Sequence, residues 1–171
     1  MKLLQSVWIS IAAFAMAFGG TAAAHAQSPF DSPKWQVLAQ QQILDATKQF
    51  YLALNAMISG NLDPISKVWS HRNDVSNLAS SGGRDTGWNE IYASYQSMAR
   101  MQMAGKIAPE NIAVVADGEM GYSICLEAGE TKDPSGQMRS FSKRATNIFR
   151  LERGKWKLIH HHADPVQILE R

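Results

Sequence analysis

Gly154-Lys155-Trp156-Lys157-Leu158-Ile159-His160-His161-His162-Ala163-Asp164-Pro165, near the C-terminus, decides how the chain folds. A β-prone apolar run stands between a Gly-led turn and an Asp-Pro stop, which predicts one strand. Alternation puts Trp156, Leu158, His160 and His162 on one face and Lys157, Ile159, His161 and Ala163 on the other. Neither face is plainly a solvent face. The expectation is a central strand, with one face on a helix-covered core or cavity and the other on a second surface such as a partner subunit.

Working upstream, Met138 to Leu151 reads as a long strand, set off by the turn Asp133-Pro134-Ser135-Gly136. Glu119 to Ala128 and Asn111 to Ala116 form a hairpin about Asp117-Gly118. Before Gly105 the period is helical. Trp88, Ile91, Tyr92, Tyr95, Met98 and Ala99 lie along one side of a helix capped by Asp85 or Thr86. Asp63-Pro64 opens a short helix through Trp69, and Asp74 to Ala79 suits a short strand. From Trp35 to Ser59, Ile43, Ala46, Phe50, Leu54 and Met57 make one apolar stripe, ended by Gly60-Asn61. Three helices followed by an antiparallel meander predict an α+β fold, a curved antiparallel sheet wrapped around the long N-terminal helix with two further helices.

At the N-terminus, Met1-Lys2, an apolar run from Leu3 to Phe18 and Ala24-His25-Ala26 have the pattern of a signal peptide. The alternative, a membrane anchor, needs roughly 20 apolar residues, and the run falls short. The expected organisation is a signal peptide over 1–26, a Pro-rich tether over 27–38, a domain over 39–166 and a tail over 167–171. The expected location is therefore secreted, with no membrane association after cleavage. Cys125 is the only cysteine, so no intramolecular disulfide can form, which suits the periplasm. A formal net charge of +2 gives no electrostatic case for nucleic acid. Gly82-Gly83 lacks the Gly-Lys-Ser/Thr pattern of a phosphate loop, and no cofactor is expected.

The element order and the Trp156-x-x-x-His160-x-His162 ending resemble the nuclear-transport-factor-2-like (SnoaL-like) superfamily of cone-shaped α+β domains, over about Gln40 to Pro165. Arg150 to His162 most resembles the end of the association domain of calcium/calmodulin-dependent protein kinase II. The resemblance implies a cavity face carrying Glu127, Asn147, Phe149, Ile159, His161 and Ala163. It places Glu127, Asn147 and Ala163 where the kinase family has cavity arginines, with Arg100 matching a further one. The opposite face, with Arg144, Thr146, Ile148, Trp156, Leu158, His160 and His162, is then an oligomer surface, and a homodimer is implied. Ketosteroid isomerases carry a general-base carboxylate on the strand after the second helix. Here that region reads Asp74-Val75-Ser76-Asn77-Leu78, so their chemistry is not implied.

Two function classes follow. The first is an exported protein binding a small, largely apolar molecule in the cone, with acid/base chemistry of isomerase, cyclase or dehydratase type. His161 is then base or acid, Glu127 its tuner and Asn147 the ligand's carbonyl partner. Trp69, Trp88, Tyr92 and Tyr95 line the pocket with Arg100 nearby, or are plain core. The plainer reading of His161 is a satisfied core histidine bonded to a Tyr or to backbone. The second class is a non-catalytic oligomerisation module using the face of Arg144, Ile148, Trp156, Leu158 and His160. His160 and His162 have a metal-compatible spacing, but a site needs a third ligand such as Asp164, His71 or Asp74, and the assigned reading is no metal.

Overall fold

The computed structural model describes residues 30, 32–80, 82–132 and 135–166. The expected signal peptide, residues 27–29 and 31 of the expected tether and the tail from 167 lie outside the described residues; the rest of the expected tether is not a linker, because α1 already starts at Pro33. Helix α1 (Pro33–Ile58) starts where Ser32 accepts a hydrogen bond from the Trp35 amide and Pro33 supplies a preset first turn. It stops in a Schellman turn. The Gly60 and Asn61 amides bond the Met57 and Ala56 carbonyls, and Gly60 takes φ 98°. Helix α2 (Asp63–Val68) follows, then strands β1 (Ser76–Leu78) and β2 (Asp85–Thr86) and helix α3 (Trp88–Arg100). Strands β3 (Gly105–Asp117), β4 (Met120–Lys132), β5 (Met138–Glu152) and β6 (Lys155–Pro165) complete the chain.

The sheet order is β2-β1-β6-β5-β4-β3. The meander expected from alternation is present, and β1 adds to it by pairing β6 in parallel. Helix α3 has Gly87 at its cap position rather than Asp85 or Thr86, because those two residues are drawn into β2. No side chain caps the helix; Glu90 instead reaches back to accept from the Thr86 amide at 2.7 Å, just ahead of the cap position.

The inner face of the sheet packs on α1 through Ala39, Ile43, Phe50, Tyr51, Leu54 and Met57, all in the core. Gly121 permits that approach. A Cβ there would stand 2.2 Å from Ile43 Cδ1 and 2.7 Å from the Val115 carbonyl oxygen. The outer face leaves Val115, Tyr122 and Ile124 exposed at 44%, 41% and 47%. Among the described residues, no helix is long and apolar enough to cross a membrane.

One irregularity corrects the expected face assignment. The β5–β6 register pairs Ile148 with His160 but Phe149 with Leu158, leaving Ile159 as an extra residue in β6. Strict alternation therefore fails at Ile159. Leu158 is fully buried on the inner face beside Phe149, and Trp156, opposite Leu151, turns its indole N–H to Gln42 of α1. Neither belongs to the outer face where alternation had put them. His160 stays on the outer face with Ile148, and His161 and Ala163 stay inside.

Candidate functional site

Reading the registers across the sheet, Ser123 pairs with Asn147, Asn147 with His161, His161 with Asn77, and Asn77 with Asp85. Residues opposite one another share a face, so five adjacent strands present one transverse polar row to the interior. The row sits in an otherwise apolar core, with Phe50 5.0 Å from the His161 ring and Trp69 next to Phe50. Ser123, Asn147, His161 and Asn77 are all buried.

Hydrogen bonds fix the direction of the inner half of the row. Thr47 Oγ1 lies 2.8 Å from both the Ile43 carbonyl oxygen and Ser123 Oγ. Thr47 Oγ1 donates toward both, sharing its one proton between the Ile43 carbonyl oxygen and Ser123 Oγ, which keeps a second lone pair. Ser123 Oγ is then free to accept from Asn147 Nδ2 at 3.2 Å. That orients the amide so that Asn147 Oδ1 faces His161 Nδ1 at 2.8 Å, and Nδ1 must carry the proton. The His161 Nε2 lone pair is left facing Glu127 Oε1, 3.6 Å away, in contact but beyond hydrogen-bond length. Glu127 Oε1 accepts from the Tyr51 hydroxyl at 3.0 Å, and Cys125 Sγ lies 3.2 Å from the same hydroxyl.

Burial pushes both partners toward their uncharged forms. It lowers His161 to about 3, with the positive charges of His160, Lys143 and His162 adding to the effect. Burial raises the Glu127 carboxyl, against the opposing pull of Lys143 and the Tyr51 hydrogen bond. Burial and then Glu127 also raise the Tyr51 phenol. The His161–Glu127 contact is thus a juxtaposed acid and base rather than a strong ion pair. It sets a weakened base, the Nε2 lone pair, beside a carboxyl whose proton affinity burial raises, so the carboxyl is the stronger proton acceptor of the two.

Among the described residues, two buried side-chain polar atoms have no partner, Trp69 Nε1 and Asn77 Oδ1. The Trp69 N–H lies near the Tyr95 hydroxyl without reaching hydrogen-bond geometry. Unpartnered buried groups are rare, and here both flank the His161 region, through Phe50 and through the Asn77–His161 pair.

Of the residues singled out from sequence, the fold brings Glu127, Asn147 and His161 together, with Trp69 and Tyr95 in the surrounding wall. Trp88 and Tyr92 form a separate cluster, Trp88 stacking on His71 at 4.3 Å. Arg100 is exposed at the end of α3, bonded to Ser97, and is not joined to the His161 set. On the outer face, His160 Nδ1 lies 2.8 Å from Ser76 Oγ and His162 Nε2 lies 3.1 Å from Asp164. Arg144 is exposed, 4.0 Å from Asp164. Among the described residues, no group of three His, Cys, Asp or Glu side chains is placed to hold a metal ion. Sequence reasoning missed Thr47, Tyr51, Ser123, Asn77 and Asp85. Thr47 and Tyr51 fall on the inner face of α1, at helical spacing from Ile43 and Leu54, and that spacing was the available signal.

A protein provisionally named a dehydratase of the NTF2-like family, from Streptomyces avermitilis, is 24% identical, with TM-score 0.68 over 77% of this chain and 99% of its own. An NTF2-like superfamily protein from Salmonella enterica is 13% identical, with TM-score 0.68 over 78% of this chain and 95% of its own. A provisionally named calcium/calmodulin-dependent protein kinase type II association domain from Thiobacillus denitrificans is 23% identical, with TM-score 0.57 over 71% and 93%. These likenesses establish the fold. No curated protein matches the chain significantly. The SnoaL-like domain model matches residues 43–166, spanning α1 to the end of β6, and the chain belongs to the SnoaL-like family.

Proposed function

We propose that this protein binds a small, largely apolar molecule inside the cone and moves a proton on it, with the Glu127 carboxyl and His161 Nε2 as the acid–base pair. The observation that carries the reading is the fixed Nδ1–H tautomer of His161, with its Nε2 lone pair held 3.6 Å from Glu127. Among the described residues Nε2 has no partner of hydrogen-bond length, and the group it faces is Glu127. Asn147 is a positioning residue, because its amide is spent on Ser123 and His161 rather than on a ligand carbonyl. Glu127 exchanges protons with Nε2, and Tyr51 steadies its carboxylate. Addition, elimination or isomerisation next to a carbonyl is the matching reaction class, and the name of the Streptomyces relative lies in the same class. The pattern of residues 1–26 supports an exported, periplasmic protein.

The test is thermal stabilisation by a library of small carbonyl compounds, since a ligand that binds only the folded state raises Tm. His161→Ala and Asn147→Ala should abolish the shift while the fold remains. A retained shift in both variants removes His161 from the site.

A homodimer is the second reading, and the exposed Val115, Tyr122 and Ile124 with half-buried Ile148 and His160 supply its contact face. The two readings are compatible, because the cone interior and the outer face are opposite sides of one sheet.

A further inference from the structure

The bulge at Ile159 also gathers charge. By turning Trp156 and Leu158 inward it sets Lys155 and Lys157 on the outer face, directly opposite Glu152 and Arg150. Beside them lies a cavity of about 930 Å³, bounded by this hairpin and by residues 69–72 after α2. Its lining carries Arg72, Arg150, Arg153, Lys155 and Lys157 against the carboxylates of Glu119 and Glu152. Arg150 is already committed. Its guanidinium bonds Asp74 at 2.8 and 3.2 Å and Glu152 Oε1 at 2.7 and 2.9 Å. That same Glu152 oxygen accepts from Ser70 Oγ at 2.9 Å, and Glu119 is exposed on the β3–β4 turn. Among the described residues, Arg153, Lys155 and Lys157 have no carboxylate within ion-pair distance. The half-buried Lys157 ammonium donates to the Lys67 carbonyl at the end of α2. Burial and then the charge of Lys155 hold Lys157 below the ordinary lysine range, with Glu152 opposing them.

We propose that this cavity binds the anionic head, a phosphate or a carboxylate, of a small molecule. Like charges set opposite one another on a ladder cost stability, and here Arg150 has its carboxylates while Lys157 has none. Lys155 and Lys157 lie two residues apart on one strand face, near enough for the first to act on the second. Each carries three donors on a flexible stem, so both can turn to the oxygens of one anion. Such charge-assisted bonds are stronger than neutral ones. A cation would add to the charge already gathered, and an alcohol would leave it uncompensated. Met120 and Leu151, also in the lining, suit a short apolar body, and the volume is in the range of small-molecule sites. The inference goes beyond the cone chemistry, since His161 does not line this cavity.

The experiment is an amide NMR titration of the purified protein with phenyl phosphate and with benzoate, using phenol and benzylammonium as matched controls. Saturable shifts clustered at Arg72, Arg153, Lys155 and Lys157 are expected with an anion and not with the controls. Tighter binding of phenyl phosphate names a phosphate ester, and tighter binding of benzoate a carboxylate. Lys157→Gln should weaken binding about tenfold or more, as loss of a charge-assisted hydrogen bond does. The urea midpoint of the free variant should stay the same or rise, because the charge facing Arg150 is gone. A lysine kept only for structure would lower that midpoint and leave the affinity alone. Lys155→Gln, at an exposed position, should weaken binding without disturbing the fold. Lys48→Gln, an exposed lysine of α1 outside the cavity, and His161→Ala should both leave the titration unchanged. No saturable shift with either anion, equal shifts with phenol, unaltered affinity in Lys157→Gln and Lys155→Gln, or equal weakening by Lys48→Gln overturns the proposal.

Discussion

Asn147 Oδ1 accepts from His161 Nδ1 at 2.8 Å across the β5–β6 ladder, and both side chains are buried. This single bond sets which imidazole nitrogen faces Glu127. Removing it by Asn147→Leu leaves Ser123 and His161 Nδ1 short of partners in the core. The expected cost is about 2–4 kcal/mol by denaturant unfolding. Asn147→Ser, which keeps a smaller acceptor, should cost less.

The pH dependence has two limbs of opposite sign. His161 falls from 6.5 to about 3 on folding, so the unfolded chain binds its proton more readily. Its contribution is fully present above pH 6.5 and is lost progressively as the pH falls from 6.5 toward about 3. The Glu127 carboxyl is raised, so its contribution is present below its unfolded value and is lost as the pH rises through the folded one. Urea unfolding across pH should show His161→Gln flattening the acid limb and Glu127→Gln flattening the loss on the other side.

The bulge at Ile159 separates two residues that alternation had grouped. Leu158→Ala should cost about 2–5 kcal/mol, as a fully buried leucine does. Ile148→Glu, on the outer face, should leave the unfolding transition of the protomer nearly unchanged and abolish a dimer seen by light scattering. A monomeric wild-type protein would remove the dimer reading.

Gly121→Ala places a methyl against Ile43 and a backbone carbonyl that cannot yield. A loss of about 1–3 kcal/mol in chemical unfolding is expected, and Ile43→Ala should recover part of it in the double variant.

Much of this architecture is legible in the chain. Gly60 marks the end of α1 and Asp117-Gly118 the β3–β4 hairpin, because each rests on local backbone chemistry, whereas the start of α1 at Pro33 falls in the stretch expected as a tether. Glu127 and Asn147 were also readable on the uninterrupted alternation of β4 and β5, and His161 on the regular end of β6 beyond the bulge at Ile159. Trp156 and Leu158 were assigned to the wrong face because a one-residue bulge is set by tertiary packing and leaves no local mark on Leu158-Ile159. Asn77 and Asp85 were missed for a related reason. They become neighbours of His161 only through a parallel pairing between distant segments, which no nearby pattern encodes.

The most direct test of the central claim is long-range proton–nitrogen NMR of the His161 imidazole at neutral pH. The account predicts a neutral ring with the proton on Nδ1 and a bare Nε2 whose resonance shifts in Glu127→Gln. A ring protonated on Nε2, or an imidazolium paired with ionised Glu127, would contradict it.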